Sequence, residues 1–338
     1  MPSPWITRGL TLAVVSQLTV ACGLDSTSPP GTLPQPGNDS GTALTDVLDG
    51  SARPDIAALP DGSVRQFRVA IGPIMLDPGQ ERTVCIVRRM GNTTPQLIRR
   101  VTANLGEASH HMIIYRVSDR VERLAPYPCQ PFSAAHDNTA TSGPVMIAQQ
   151  PDARLELPAG VGLPTVADQF IQLEFHTLNT TSAPIESRGE VTFDTVDASD
   201  AYAAAELLFS GTLSIQIPPR TPPTAPVQVH HVTRVPDDAR VFALTSHTHH
   251  LGILATVSQS GPGGMGGMVR DFRELHRSTN WAEPPLTTFD PPLTFTPMSG
   301  EALHLVCSYV NPTDRAVNFG LSANDEMCFL WAYYYVPR

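Results

Sequence analysis

The chain has no lysine in 338 residues; its 22 basic side chains are all arginine, outnumbered by 32 acidic ones, and the formal net charge is −10. Charged residues make up only 16% of the sequence and no basic cluster interrupts the acidity, so a nucleic-acid partner is not expected. Beyond the N-terminus no apolar run approaches the ~20 residues that cross a bilayer as a helix. No segment shows a sustained 3.6-residue period with caps, and there is no convincing internal repeat. Proline and glycine are abundant instead, 33 and 24 residues, and they separate short apolar runs.

The N-terminus reads as a targeting segment. Arg8 precedes an apolar stretch from Leu10 to Val20, followed by Ala21-Cys22. A positive region, a short apolar core and a small residue before the cleavage point form a secretory signal. A Cys directly after the small residue gives it the form of a bacterial lipoprotein signal over 1–22, with Cys22 the lipidated first residue; Thr19 stands where such signals usually carry Leu. The alternative is an ordinary secretory signal with an incidental Cys. Residues 23–60 are rich in Ser, Thr, Pro, Gly and Asp, too poor in apolar surface to offset their ordering entropy, and are expected to be a disordered tether. The expected location is the bacterial cell envelope, outside the cytoplasm and lipid-anchored, or secreted or periplasmic if Cys22 is not lipidated.

Removing Cys22 from the five cysteines leaves Cys85, Cys129, Cys307 and Cys328. Four cysteines allow three connectivities, and sequence alone does not choose among them. Their placement suggests one bridge per half, Cys85–Cys129 and Cys307–Cys328, consistent with an exported protein.

The segments that read as strands are 64–70, 83–89, 97–103, 111–117, 170–175, 190–194, 207–217, 227–232, 241–246, 254–258, 302–309 and 328–336. They are short, rich in β-branched or aromatic residues, and bounded by Pro, Gly, Asn or Asp. Many short strands without helices predict an all-β fold of sandwiches or jelly rolls. The length after the tether suits two such domains, 61–198 and 199–338, with the small, polar stretch 197–205 as the boundary. The Gly-rich run 261–268 reads as a loop.

Chemistry concentrates in the histidines. His247-Thr248-His249 places two imidazoles two residues apart, so on an extended strand both face one side. Met327, in Asp325-Glu326-Met327-Cys328, adds a thioether, and thioether sulfur selects copper over zinc, magnesium or calcium. Other metal patterns fail here. A metallo-β-lactamase would carry Asp and His where Leu251 and Gly252 stand, and a cupin would carry Glu where Ile253 stands. A zinc deaminase needs paired cysteines nearby. A blue-copper centre needs a cysteine ligand, and Cys328 is expected in a disulfide. The adjacent pair His110-His111 could serve one metal only at a strand end or bulge, and locally it reads as structure as readily as site. His176 reads as an ordinary strand-end residue. His250 faces away from His249. His136, His230, His231, His276 and His304 have no partner at metal-like spacing and read as structural.

These residues resemble the copper type II, ascorbate-dependent monooxygenases, the family of peptidylglycine α-hydroxylating and dopamine β-monooxygenases. The resembling words are His-His-Met at 110–112, Leu-Pro-x-Gly-Val-Gly at 157–162, His-Thr-His-His-Leu-Gly at 247–252 and Asp-Glu-Met-Cys at 325–328. The resemblance implies two jelly-roll β-sandwich domains facing each other across a solvent-filled cleft. It implies two copper ions per chain, one held by His110, His111 and His176 and the other by His247, His249 and Met327. The two disulfides above also match family bridges. The implied reaction is hydroxylation of a substrate C–H bond with O2, the O2 met at His247, His249 and Met327. The other copper would supply the second electron, and ascorbate or another one-electron donor would reduce both. The soft Met327 ligand suits the reduced ion.

Departures from the family pattern restrict the substrate. Thr245 stands where peptide-amidating members carry an Arg that holds the peptide carboxylate, and Phe329 and Trp331 stand where they carry Asn and Tyr. A peptidylglycine is therefore not the expected substrate; an unidentified small organic molecule is. Glu174 replaces a Gln two residues before the third His, either supporting that ligand or standing as a solvated carboxylate. The expected protein is a monomer that meets the membrane only through its lipid anchor. The rival from another class is a copper-binding protein without turnover, used for storage, delivery or sensing outside the cytoplasm.

Overall fold

The computed structural model describes residues 64–132, 134, 139, 142–198, 202–261, 270–295 and 300–337. The signal segment with Cys22, the tether, His136 and most of the Gly-rich run 261–268 lie outside them. The described residues contain strands and no helix long and apolar enough to cross a membrane.

The first half supplies β1 (Arg65–Leu76), β2 (Glu81–Arg89), β3 (Gln96–Leu105), β4 (Ser109–Val117), β5 (Arg123–Pro128), β6 (Gly143–Ala148), β7 (Asp152–Glu156), β8 (Val161–Thr165), β9 (Phe170–Leu178) and β10 (Ile185–Asp197). The second supplies β11 (Ala203–Gly211), β12 (Gln216–Ile217), β13 (Val227–Arg234), β14 (Arg240–His247), β15 (Gly252–Gly261), β16 (Arg270–Ser278), β17 (Thr287–Thr294), β18 (Ala302–Tyr309), β19 (Val317–Asn318) and β20 (Phe329–Tyr335). The fold is all-β, as the sequence pattern predicts. Each segment expected to be extended falls on a strand except 207–217, which breaks in two. There β11 ends at Gly211, and β12 leaves to pair with β19 in a sheet of its own.

Three larger sheets build the sandwiches. A five-stranded sheet, β5-β2-β9-β4-β6, belongs to the first half, and a four-stranded sheet, β13-β18-β15-β16, to the second. The third, with nine strands, runs through both halves in the order β1-β10-β3-β8-β11-β20-β14-β17, with β7 also on β3. The crossing point is a short parallel pairing of β8 with β11, Val161 opposite Ala203 and Gly162 opposite Ala204. Gly162 belongs to the Leu-Pro-x-Gly-Val-Gly word, and a Cβ there would lie 2.9 Å from Leu97 Cβ on β3. Glycine is what lets β8 sit between β3 and β11.

Alternation sets the faces. β1 and β10 bury every second residue over much of their length, whereas β4 is buried on both faces from His110 onward. A strand covered on both sides can be continuously apolar, and His-His-Met-Ile-Ile-Tyr is nearly so. One apolar core fills the first sandwich and continues into the second through Ala205, Leu207, Phe242, Ala243, Trp331 and Tyr333. Another, around Leu305, Tyr309, Leu330 and Ala332, fills the second. Fully burying each large side chain is worth about 1.5–3 kcal/mol.

Both predicted disulfides form. Cys85–Cys129 ties β2 to the segment after β5, with Cα atoms 5.8 Å apart. Cys307–Cys328 ties β18 of one sheet to the start of β20 in the facing sheet, with Cα atoms 6.0 Å apart. Replacing Cys307 and Cys328 together by alanine should lower stability by about 3 kcal/mol. An unchanged urea midpoint would show that the bridge constrains nothing the sheets do not already hold.

Candidate metal centre

The backbone of β4 explains how neighbouring histidines face one space. β4 pairs with β9 as Ser109↔Thr177 and then His111↔His176, so it holds one residue more than its partner between those points. The extra residue is His110, and such a bulge redirects a side chain that would otherwise point away. The rings of His110 and His111 then lie 5.0 Å apart, centroid to centroid. His176, opposite on β9, stands 5.3 Å from His110 and 5.0 Å from His111.

From the second half, His247 is the last residue of β14, while His249 lies past the strand end in the turn to β15. The two rings do approach, at 5.3 Å, but through a turn and not through the strand alternation expected for His-Thr-His. Gly252 N–H closes that turn on His249 O at 2.9 Å. A Cβ on Gly252 would meet Thr248 Oγ1 at 2.5 Å, so the turn requires glycine.

The two sets are in contact with each other. His110 lies 5.5 Å from His247 and 5.8 Å from His249, and His111 lies 5.0 Å from His247. The family resemblance implies two sets separated by a solvent-filled cleft; at the histidines the halves are closed together. The tightest convergence is a mixed one. One nitrogen each of His110, His111 and His247 fall within 4.8 Å of one another.

Four of these ring nitrogens are buried without any hydrogen-bond partner: His110 Nε2, both nitrogens of His111, and His247 Nε2. A buried polar atom left unpaired costs about 1–3 kcal/mol, so a convergent set of them fits a metal ion. Burial first, and neighbouring imidazoles second, hold His110 and His111 well below the usual histidine range, and His247 likewise. Burial brings His249 down to about 4. The rings are therefore neutral near pH 7, the form that ligates copper, zinc, iron or nickel.

Surrounding polar groups, most of them outside the histidine words, fix the ring orientations. The Gln149 side chain, just past β6, accepts His247 Nδ1–H on Oε1 at 2.6 Å. Its own amide donates to Thr245 Oγ1 at 3.2 Å and Ser246 O at 3.0 Å, which sets the amide so that oxygen faces His247. His249 Nδ1–H donates to Asp325 O at 3.1 Å. In both cases Nε2 is left with the lone pair that could ligate a metal. Glu326, fully buried, accepts the backbone N–H of Leu251 at 2.7 Å, His249 at 3.0 Å and Met327 at 3.3 Å. Burial pushes its carboxyl up to about 8 against the pull of those donors. Glu81 receives His176 Nε2 at 2.8 Å, Ala323 N–H at 2.8 Å and Ser322 Oγ at 2.9 Å. Burial raises its pKa, but those hydrogen bonds outweigh it and hold the carboxyl at about 2. One carboxylate thus joins β9 to the loop that leads into Met327.

Met327 is 1% exposed, directly after the Asp325–Glu326 backbone that touches His249, and its carbonyl accepts Tyr309 Oη–H at 2.5 Å. Glu174 is fully buried, so the solvated alternative fails; it accepts Phe132 N–H at 2.9 Å and Tyr115 Oη–H at 3.3 Å. Thr245 is turned to Gln149. Phe329 and Trp331 are buried with Phe209, at 5.0 Å and 4.4 Å between ring centroids. Phe132 extends this aromatic group to within 6.0 Å of His111. Trp281, partly exposed, stands over His110 at 5.2 Å. An open groove lined by Arg65, Phe67, Thr94 and Asp197 includes none of the histidines.

His250 Nδ1–H donates to Ala323 O, 2.6 Å away, in a packing role. His276 is buried between Ser246 and Thr287, and His231 bonds Ser210. His230 and His304 meet each other at 3.1 Å, a pairing that strands 74 residues apart create and that spacing along the chain does not reveal.

Residues 211–338 match the family model described as copper type II ascorbate-dependent monooxygenase, C-terminal domain. That stretch contains His247, His249 and Met327. No curated protein matches the sequence. Among solved structures, the chain is similar to the major capsid protein of bacteriophage PM2, at 9% identity and TM-score 0.34 over 82% of this chain and 98% of that one. It is also similar to PNGase F, a glycosylasparaginase from Flavobacterium meningosepticum, at 6% identity and TM-score 0.34 over 80% and 96%. Likenesses this slight bear on no functional question.

Two measurements check this centre. The metal-free protein should be most stable above pH 6.5. As pH falls from 6.5 toward 4 the unfolded chain takes up protons that the buried imidazoles refuse, and stability is lost; a urea midpoint constant across that window would contradict the buried neutral cluster. Gln149→Ala should weaken Cu(I) binding by roughly 10–100-fold in chelator competition, the usual effect of removing a ligand's hydrogen-bond partner.

Proposed function

We propose that this chain, whose residues 211–338 match the C-terminal domain of the copper type II ascorbate-dependent monooxygenases, is a member of that family and hydroxylates a C–H bond of a small organic molecule. Its co-substrates are O2 and a one-electron donor such as ascorbate. The observation that carries the reading is the set of buried, neutral, unpartnered imidazole nitrogens contributed by both halves. Copper held there supplies one-electron redox chemistry and O2 activation.

The ligands in this reading are His110, His111 and His176 for one ion and His247, His249 and Met327 for the other, two ions per chain. The chain's own contribution is to hold these groups neutral and dry. Gln149 and Asp325 O keep Nε2 of His247 and His249 bare. Glu326 fixes the turn that carries His249. The aromatic group of Phe132, Phe209, Phe329 and Trp331 excludes water on one side, and Trp281 shields His110. No basic side chain stands at Thr245 to receive a substrate carboxylate, which supports a substrate other than a peptidylglycine. The reading places the protein outside the cytoplasm as a monomer, lipid-anchored through Cys22. The two disulfides support an oxidising compartment.

One observation favours copper binding without turnover. The most closely convergent nitrogens, those of His110, His111 and His247, draw on both ligand sets and are almost wholly buried. A single ion held there would be shut away from a substrate by the burial of all three rings.

The experiment that separates the two is copper stoichiometry with ascorbate-driven O2 uptake, comparing the intact chain with Met327→Ala. Two coppers per chain, O2 uptake that depends on Met327 and a hydroxylated product support the monooxygenase. Tight copper binding without uptake across a broad substrate panel leaves storage or delivery, and no copper bound at all overturns both.

A further inference from the structure

The outer face of the four-stranded sheet carries a group of side chains that the proposed function leaves unused. His230 on β13, His304 on β18 and Asp271 on β16 come from three strands and meet on one surface. The pairing register explains why. Val232 stands opposite His304 across β13 and β18, so His230 is the diagonal neighbour on the same face. Ser258 and Ser260 of β15, opposite His304 and Asp271, are short enough to let Asp271 reach across.

The hydrogen bonds orient the pair. Asp271 accepts His304 Nδ1–H at 2.9 Å on Oδ1 and 3.2 Å on Oδ2, which leaves His304 Nε2 as a lone pair. That lone pair faces His230 Nδ1 at 3.1 Å, with the two rings inclined by only 22°. His304 is 9% exposed and therefore fixed, whereas His230 is exposed and free to adjust. A carboxylate that holds one imidazole nitrogen so that the other faces outward is the arrangement found behind metal-ligating histidines. Two nitrogens bound to one ion at about 2.0–2.1 Å in tetrahedral geometry lie roughly 3.3 Å apart. The observed separation is already close to that, and a small rotation of His230 opens it.

We propose that His230 and His304 form a metal site distinct from the central cluster, binding a first-row divalent ion such as Zn(II) or Cu(II), with Asp271 orienting His304 and water completing the coordination. The ion takes the place of the proton now shared between the rings. His230 carries its proton on Nε2 instead of Nδ1, so binding requires no net loss of a proton from either neutral ring. With two nitrogens, open water positions and no sulfur, the donor set suits a divalent ion. The site does not depend on the reaction proposed above, since none of its residues touches the central histidines.

The test uses the full chain with its central cluster loaded with Cu(I) under anaerobic conditions, and Zn(II) as probe in equilibrium dialysis. The intact chain should bind one more Zn(II) than His230→Ala, whose exposed position keeps folding out of the comparison. Asp271→Asn should retain the extra ion but bind it about tenfold more weakly, and the His230 and His304 ring nitrogen resonances should shift together on Zn(II) addition. Equal Zn(II) stoichiometry and affinity in the intact chain and His230→Ala, or an extra ion that leaves both ring signals unmoved, would overturn the site. Neither outcome bears on O2 uptake at the central cluster, so the two proposals stand or fall separately.

Discussion

The structure turns on holding several imidazoles neutral, dry and without hydrogen-bond partners at the contact between its halves. Left alone that arrangement is unfavourable, because each unpaired buried nitrogen costs about 1–3 kcal/mol and protonation would add mutual repulsion. The surrounding frame makes it persist. A bulge in β4 brings His110 to the same side as His111, the end of β14 presents His247, and a glycine-dependent turn presents His249. None of these devices would be needed by a sheet whose only task was to bury apolar surface. An ion that binds only the folded arrangement would return the free energy that the frame expends, and would stabilise the fold in proportion to its affinity.

Much of this was legible in the sequence because strands write their period openly. Short β-branched runs between turn residues gave the all-β class and the core strands β2, β3, β4, β9, β14, β15, β18 and β20. The strands with little sequence signal are mostly those carrying proline, such as β5, β6, β8 and β17. Proline cannot donate to a sheet and reads as a breaker, yet β5, β6 and β17 lie at sheet edges where a missing donor is tolerated. The histidine pair was legible only as a conditional statement, since adjacent ligands require a bulge and nothing local announces one. The bulge emerges when β4 is paired with β9.

The supporting groups were the least legible part. Gln149 and Glu81 lie in no motif, the Asp-Glu-Met-Cys word gives Glu326 no role, and each acts on a partner 75 to 242 residues away. What recommends them in retrospect is chemistry. A buried carboxylate such as Glu326, next to Met327, has to be neutralised or hydrogen-bonded, and here backbone N–H groups do it. Glu174 shows the same rule: a charged residue in an apolar strand, Phe-Ile-Gln-Leu-Glu-Phe-His, is held by Tyr115 and Phe132 and in turn places Phe132 beside His111.

These long-range supports also tie the family-matched segment to the rest of the chain. The matched segment, residues 211–338, holds His247, His249 and Met327 and could be taken for a self-sufficient half-site. Its most buried candidate ligand is set from outside it, however, because the oxygen that fixes the His247 tautomer belongs to Gln149. The loop before Met327 is anchored by Glu81 through Ser322 and Ala323, and the same carboxylate holds His176. The nine-stranded sheet passes between the halves without a break, and one core includes Trp331 and Tyr333 beside Met112 and Phe175. A change in either half that moves one ligand set therefore moves the groups that orient the other. The matched segment contains three candidate ligands, but the geometry that would make them ligands is a property of residues 64–337 together.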